Sequence, residues 1–294
     1  MFLRRKLTVM ATVALLSTSL LAGCSSSGEN SNGGSNGGGT ATAAEVLANK
    51  NARAAISMII DKQAYCDVIL NNGSIPTSTF TPKGLAFDKG KDYTDLTEGM
   101  GYEYNEEQAK ELWEKAKEEV GFDTVEMELL TYDHDTGKRT GEYIQSELSD
   151  LEGLTVKVSN LPFKQKLERE TNGEFDLAFS GWGADYPDPL TYLSTMQTGN
   201  QFSNQVGYNS EEYNKLIEEA MKLPITEGYA KYAEAEKLML EDGYLAPIYQ
   251  KASAYLEKDY VSGIVNNSWG ADYTYTYADV DKDDKVLNLA TWSD

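Results

Sequence analysis

A single histidine in 294 residues removes most metal and nucleophile chemistry before any motif is sought. His134 has no second imidazole with which to share a metal, and a triad built on it lacks recognisable partners. It stands between Asp133 and Asp135 ahead of Gly137, which predicts an exposed loop. No Gly-rich phosphate loop occurs, and Ser180 is not set in a nucleophile elbow. Positive charge is scarce too: 26 Lys and Arg face 47 Asp and Glu, a net charge of −21. Nucleic acid is thereby excluded as a partner, since its binding needs a cationic footprint. Asp279, Asp281 and Asp283 have the spacing of the first calcium ligands of an EF-hand. Asp284, however, falls where that loop needs Gly, and Ala290 where it needs Glu, so no metal site is expected. A glycosidase requires two carboxylates at about 5 or 6.5 to 9.5 Å, and nothing in the order of the acids sets such a pair. Neither enzymatic activity nor a cofactor is expected.

Long apolar runs are also missing, apart from one at the front. Arg4, Arg5 and Lys6 precede an apolar stretch from Leu7 to Leu20, followed by Leu21-Ala22-Gly23-Cys24. The stretch is shorter than the roughly 20 residues of a spanning helix, and the order of its parts is that of a secretory signal peptide. Ala22 and Gly23 before Cys24 resemble a lipobox. Residues 1–23 are therefore read as the leader and Cys24 as the lipidated start of an extracytoplasmic chain, held on the outer face of the cell membrane or in the periplasm. An unlipidated secreted protein is the alternative. Residues 24–42, rich in Ser, Gly, Asn and Thr, read as a flexible tether. With Cys24 acylated, Cys66 is left without a disulfide partner; its apolar helical surroundings mark a buried thiol.

The body of the chain is long enough for one large or two small domains. From about Ala43 to Leu70 the apolar residues recur with helical period, and Asn71 to Gly101 is a loop with turn signals at Asn72-Gly73, Pro82 and Gly84. The clearest helix follows. Asn105 caps it, Glu106 and Glu107 suit its positive end, Ala109, Leu112, Trp113, Ala116 and Val120 form one apolar stripe, and Gly121 stops it. At Val125, Met127 and Leu129 the period changes to two, which predicts a strand. A helix over 141–151, a strand over 154–158, a short helix over 163–169 and a strand over 175–180 complete a βαβαβ pattern. Such a pattern implies a small, mainly parallel sheet whose ligands approach the carboxyl ends of its strands. Helices over 210–221 and 225–242, β-like segments over 244–250 and 253–256, and a Tyr-rich tail follow.

Directly after the third strand comes Gly181-Trp182-Gly183-Ala184-Asp185-Tyr186-Pro187-Asp188-Pro189. Gly183 permits close approach of a ligand backbone, Pro187 and Pro189 stiffen the turn, and Trp182 sets an apolar face beside the charge of Asp185. An alternative makes Asp185 a turn-former and Trp182 a core residue; Asp188 reads chiefly as a turn-former.

Together with Asn51-Ala52-Arg53-Ala54-Ala55-Ile56, Ile60-Asp61-Lys62, Asn72-Gly73, Phe175-Asp176-Leu177-Ala178, Tyr213-Asn214-Lys215-Leu216-Ile217 and Ala246-Pro247-Ile248-Tyr249, this loop resembles a known family in order and spacing. That family is the extracytoplasmic solute-binding proteins of oligopeptide and dipeptide ABC importers (family 5). The resemblance runs from about Asn49 to Tyr277. It implies an α/β fold, one lobe of a periplasmic-binding-protein-like type II clamshell with a small mixed sheet flanked by helices. By the same resemblance the ligands are peptides, the partner is an ABC permease in the membrane, and Trp182, Gly183 and Asp185, with Ala184 and Tyr186 beside them, receive the peptide N-terminus. A fixed ammonium needs an anion, and an extended backbone pairs with main-chain groups.

Two departures stand out. Phe179 occupies a position where some members carry a carboxylate-binding Arg. A first lobe and an accessory domain normally precede the Arg53 helix, and only residues 25–48 stand in their place. Residues 43–278 are accordingly expected to be the C-terminal lobe. Residues 279–294 are expected to be an acidic tail with a strand, Lys285 to Trp292, resembling the opening of the first lobe. A rearranged or permuted gene, or a partial gene model, accounts for both features, and a separate first lobe is then a possible partner. Two other functions are kept open: a binding module for another solute, such as an oligosaccharide or metal chelate, and a non-transport lipoprotein that docks a partner protein.

Overall fold

The computed structural model describes the backbone of residues 2–3 and the whole of residues 39–281. The lipobox, Cys24, the tether to residue 38 and the Lys285 to Trp292 segment lie outside the described residues.

The sheet is organised by β4. In chain order the elements are β1 (Phe2–Leu3), β2 (Gly39–Ala41), α1 (Ala43–Ala48), α2 (Lys50–Met58), β3 (Ile75–Pro76), α3 (Glu106–Val120) and β4 (Phe122–Tyr132), then α4 (Asp135–Leu148), β5 (Leu154–Leu161), α5 (Phe163–Asn172) and β6 (Leu177–Ala178). Two long helices, α6 (Glu211–Ala220) and α7 (Ile225–Asp242), and the short β7 (Tyr249–Gln250) follow. β5 runs parallel to β4 from Val125↔Leu154 to Tyr132↔Leu161, and β6 pairs in parallel on the opposite edge at Leu129↔Leu177 and Leu130↔Ala178. β2 joins the start of β4 in parallel, and β1 lies antiparallel against β6. The first strand of the βαβαβ unit therefore sits between the second and third, and the carboxyl ends of β4 and β6 flank a topological switch point, where such sheets open a crevice.

Alternation along β4 feeds two cores. Val125, Met127 and Leu129 pack with Val46, Leu47, Ile56, Trp113, Ile144 and Leu148 of the helices on one side. Leu130 joins Phe175, Ala178, Tyr213, Ile217, Tyr232 and Met239 on the other.

Helix α3 forms as expected: Asn105 Oδ1 accepts from Gln108 N at 3.0 Å, Ala109, Trp113 and Ala116 are buried, and Gly121 ends it in the left-handed region at φ 82°. Other boundaries move for local reasons. The single helical stretch expected over 43–70 is broken at Asn49, which ends α1 and whose Oδ1 accepts from Asn51 N and Ala52 N to start α2. Beyond α2 the chain continues through a short helical turn and a π-helical turn, Tyr65–Leu70, in which Cys66 is buried as expected and its thiol pushed up by desolvation. The tether ends earlier than expected, because Gly39–Ala41 pair with β4 and Thr42 forms a capping box with Glu45. His134 is exposed in the short bend between β4 and α4, as expected; its Nδ1 accepts from Gly137 N at 3.0 Å and caps the helix, so α4 begins at Asp135 rather than near 141. The strand expected over 175–180 is regular only at Leu177–Ala178, and no strand forms over 253–256, where Leu256 is fully exposed. Asp279–Val280 pair with Val261–Ser262, so the boundary drawn at 279 cuts a β-ribbon.

Three buried charges tie loops to this frame. Arg53, the residue of the expected Arg-x-Ala landmark, donates to Leu47 O, Ala48 O and Asp242 O and lies over the Tyr244 ring, closing the carboxyl ends of α1 and α7 together. Lys62 Nζ donates to Ser78 Oγ at 2.9 Å and Tyr102 O at 2.6 Å, and burial pulls its pKa down to about 8. Glu236, fully buried on α7, accepts from Phe80 N at 2.8 Å, Thr81 N at 2.9 Å, Thr81 Oγ1 at 2.8 Å and Tyr93 OH at 3.1 Å. Four donors oppose the desolvation cost, yet burial still raises its pKa above the ordinary 4.5.

Because the folded state holds this proton more tightly than the unfolded chain, Glu236 makes the protein less stable as pH climbs from about 4.5 through the raised native value. Glu236→Gln keeps the acceptor for the two backbone N–H groups and has no charge to desolvate. In urea denaturation it gains on the wild type across that pH window and levels off above it; a difference independent of pH would refute the assignment. Glu236→Leu leaves the buried donors unpaired and costs about 3–5 kcal/mol.

Candidate functional site

At the carboxyl ends of β4 and β6 lies a cleft of about 660 Å³, within the size range of small-ligand sites. Its walls are largely aromatic. On one side Phe80 meets Tyr192 edge-on at 5.3 Å, and Trp182 meets Phe202 at 5.3 Å and 83°. On the other, Phe179 stacks on Tyr249 at 6.3 Å, with Tyr65 behind both. The Asn267–Gly270 segment forms the rim and is joined to the Gly-Trp-Gly-Ala loop by Gly270 N donating to Ala184 O at 2.7 Å. Phe80 and Thr79 belong to the loop gripped by Glu236 and Lys62, so the buried charges shape the wall. Lys251 and Asp272 are the charged residues that line the cleft.

Trp182, Gly183 and Ala184 line the cleft, whereas Asp185 and Tyr186 do not. Trp182 is both wall and anchor, because its Nε1 donates to Thr191 O at 2.9 Å while its ring stays partly exposed. Asp185 is exposed next to the lining, its N–H donating to Thr191 Oγ1 at 3.0 Å. Tyr186 is exposed beside it. Asp188 is the expected turn-former: Oδ1 accepts from Leu190 N at 2.9 Å, and burial raises its pKa. Phe179 is 9% exposed and fills the wall, with no cation in its place.

Among the described glycines, Gly181 and Gly183 share with Gly39 alone the combination of open side-chain space and an ordinary backbone. A Cβ built on Gly181 or Gly183 meets no atom within 4 Å, and neither residue has positive φ. Nothing among the described residues demands glycine there.

Sequence reasoning missed the polar floor. Tyr132, at the end of β4, and Ser180, just beyond β6, line the cleft, and beneath them Lys166 and Glu170 form a buried ion pair at 2.5 Å. In sequence this is an ordinary i,i+4 pair on a charged helix, the signature of a solvated face. Only the exposure of Phe163 and Leu167 on the same helix, 46% and 39%, betrays that the helix presents its charges inward.

The model of the bacterial extracellular solute-binding proteins, family 5 Middle, matches residues 28–204. The dipeptide-binding protein of Lactococcus lactis subsp. cremoris is 31% identical over 238 residues, 79% of this chain and 43% of that protein. The dipeptide-binding protein DppE of Bacillus subtilis is 29% identical over 228 residues, 77% and 42% of the two chains. Among solved structures, the substrate-binding domain of an oligopeptide ABC transporter from Bacillus anthracis superposes with a TM-score of 0.75 at 36% identity, covering 81% of this chain and 46% of that one. Listeria monocytogenes OppA bound to peptide gives 0.74 at 37%, with the same coverage. The chain thus spans less than half the length of these relatives, and its α/β architecture is that of one lobe of a type II clamshell. By sequence and by fold, this chain belongs to family 5 of the bacterial extracellular solute-binding proteins.

Proposed function

We propose that the chain is the peptide-receiving lobe of an ABC importer's binding protein, carried on the outer face of the membrane by lipid on Cys24 and delivering its ligand to a permease. An extended peptide runs along the main chain of Gly181 to Ala184, sends side chains into the aromatic cleft, and places its ammonium at Asp185 next to the lining. The observation that carries this reading is the pair of glycines at 181 and 183. Their side-chain space is empty and their backbone is ordinary, so the fold leaves the main chain open to what enters the cleft. A ligand backbone can pair closely with a main chain left open in this way. The exposed carboxylate of Asp185 supports the second half of the reading, being an anion within one residue of the lining. The relatives named as dipeptide- and oligopeptide-binding proteins support the ligand class.

Calorimetric titration with a pool of tri- to pentapeptides tests the proposal. Saturable binding is expected, weakened roughly 10- to 100-fold by Asp185→Ala or by N-acetylation of the peptide, the worth of one charge-assisted hydrogen bond. A folded protein that ignores peptides, or binds acetylated and free peptides alike, refutes it. Gly183→Ala separates ligand from scaffold. It should hold or slightly raise the thermal midpoint, by up to about 1 kcal/mol of chain entropy, while peptide affinity falls roughly tenfold for one lost main-chain hydrogen bond. A fall in stability with affinity intact would assign the glycine to the fold.

A further inference from the structure

Helix α5 is turned inside out, with Phe163 and Leu167 exposed while Lys166 and Glu170 are 0% and 6% exposed. Stability is a poor reason for this, because apolar residues in place of a buried ion pair are often as stable or more so. The hydrogen bonds point to the cleft instead. Lys166 Nζ has three protons and spends all of them inside the protein: on Glu170 Oε1 at 2.5 Å, on Ser180 Oγ at 2.5 Å, and on the face of Tyr132, whose centroid is 4.3 Å away. A ligand carboxylate finds no donor left on this ammonium. Ser180 in turn donates its only proton to Glu170 Oε1. Its oxygen, fixed by one bond given and one accepted, retains a lone pair, and Ser180 lines the cleft just past the carboxyl end of β6.

We propose that Ser180 is a ligand-binding residue, the acceptor at the cleft floor for an N–H of an extended peptide, with Lys166 and Glu170 as the positioning residues that hold its hydroxyl in that role. The proposal rests on the peptide-binding reading above. Donation to a carboxylate polarises the hydroxyl and strengthens it as an acceptor. A rotor already locked has little entropy to lose when the ligand arrives. Burial lowers the Lys166 pKa while Glu170 opposes that shift, which fits a pair held for geometry at some cost in solvation. Tyr132 stands beside Ser180: burial raises its phenol while hydrogen bonding with the Ser180 hydroxyl opposes that shift, so the phenol competes with a ligand N–H for the Ser180 oxygen and is itself the alternative acceptor in the same floor.

The test is a calorimetric titration of the full chain with one tripeptide and its variants in which a single N–H is replaced by N-methyl. In the wild type one variant should lose roughly 3- to 10-fold in affinity, the range of a single neutral hydrogen bond. Ser180→Ala should lose as much for the parent tripeptide and nothing further for that variant, while Ser180→Thr, keeping a hydroxyl, preserves the discrimination. Glu170→Gln should shrink the discrimination and also lower the thermal midpoint, because it leaves the Lys166 charge buried without its partner; full discrimination in that folded protein removes the positioning role. The proposal fails if Ser180→Ala binds the parent as the wild type does, if the N-methyl penalty persists in it, or if Tyr132→Phe abolishes the penalty in its place. Wild-type chain that takes up no peptide overturns the peptide-binding reading and this proposal together, whereas wild-type binding that is indifferent to Ser180→Ala overturns this proposal alone.

Discussion

A strand paired along most of one edge and at both ends of the other, with a core on each face at its carboxyl end, has little freedom of register left, and β4 is such a strand. A slip of one residue would exchange the core-facing set Val125, Met127 and Leu129 for Glu126 and Glu128. The crossover that follows is held just as tightly. Where α4 passes over β5 and β4, a Cβ on Gly141 would come within 2.6 Å of Val158 Cγ1 and 3.2 Å of Thr131 Oγ1. The return to β5 passes through Gly153 at φ 85°, where a Cβ would strike Asp123 O. With these contacts fixed, Tyr132 and Ser180 can leave the sheet only side by side, and the cleft floor is set by the same packing that makes the core.

Local signals were the legible ones. Helix α3 carried its cap, its charge bias, its stripe and its stop in sequence, and all four are present in the fold. The central strand was legible because its period changes from that of a helix to two. What could not be read was anything decided by distant partners. Gly39 to Thr42 look like more tether until the start of β4 offers them an edge, and residues 253–256 have strand-like composition but find no edge at all. Within the loop, composition marked Trp182, Gly183 and Asp185 as facing a ligand, and the cleft is lined there by Trp182, Gly183 and Ala184. Composition could not say that Asp185, one residue on, is exposed and not part of the lining.

Buried charge was the least legible feature. Arg53, Lys62, Lys166, Glu170 and Glu236 all sit in helical segments where, in sequence, charge reads as a wet surface. In the fold Glu236 and Lys62 orient the loop that carries Thr79 and Phe80, and Lys166 and Glu170 underlie Tyr132 and Ser180. The aromatic surface that a ligand meets therefore rests on an inner layer of ionic and hydrogen-bonded groups, directional where apolar packing is not. Loops on such supports keep their shape without regular secondary structure, as residues 77–82 do over most of their length.

The two ends of β4 do different things. Its first residues accept β2 and so receive the chain arriving from the N-terminal segment, while its last residue lines the cleft. Eleven residues of strand separate them, roughly 35 Å at the usual rise. Any tension on the N-terminal segment is thus delivered at the foot of the sheet, along the strand axis and at the pole opposite the ligand. A pull applied there runs the length of β4 before it reaches the cleft, whose mouth is the end of the strand farthest from where β2 joins it.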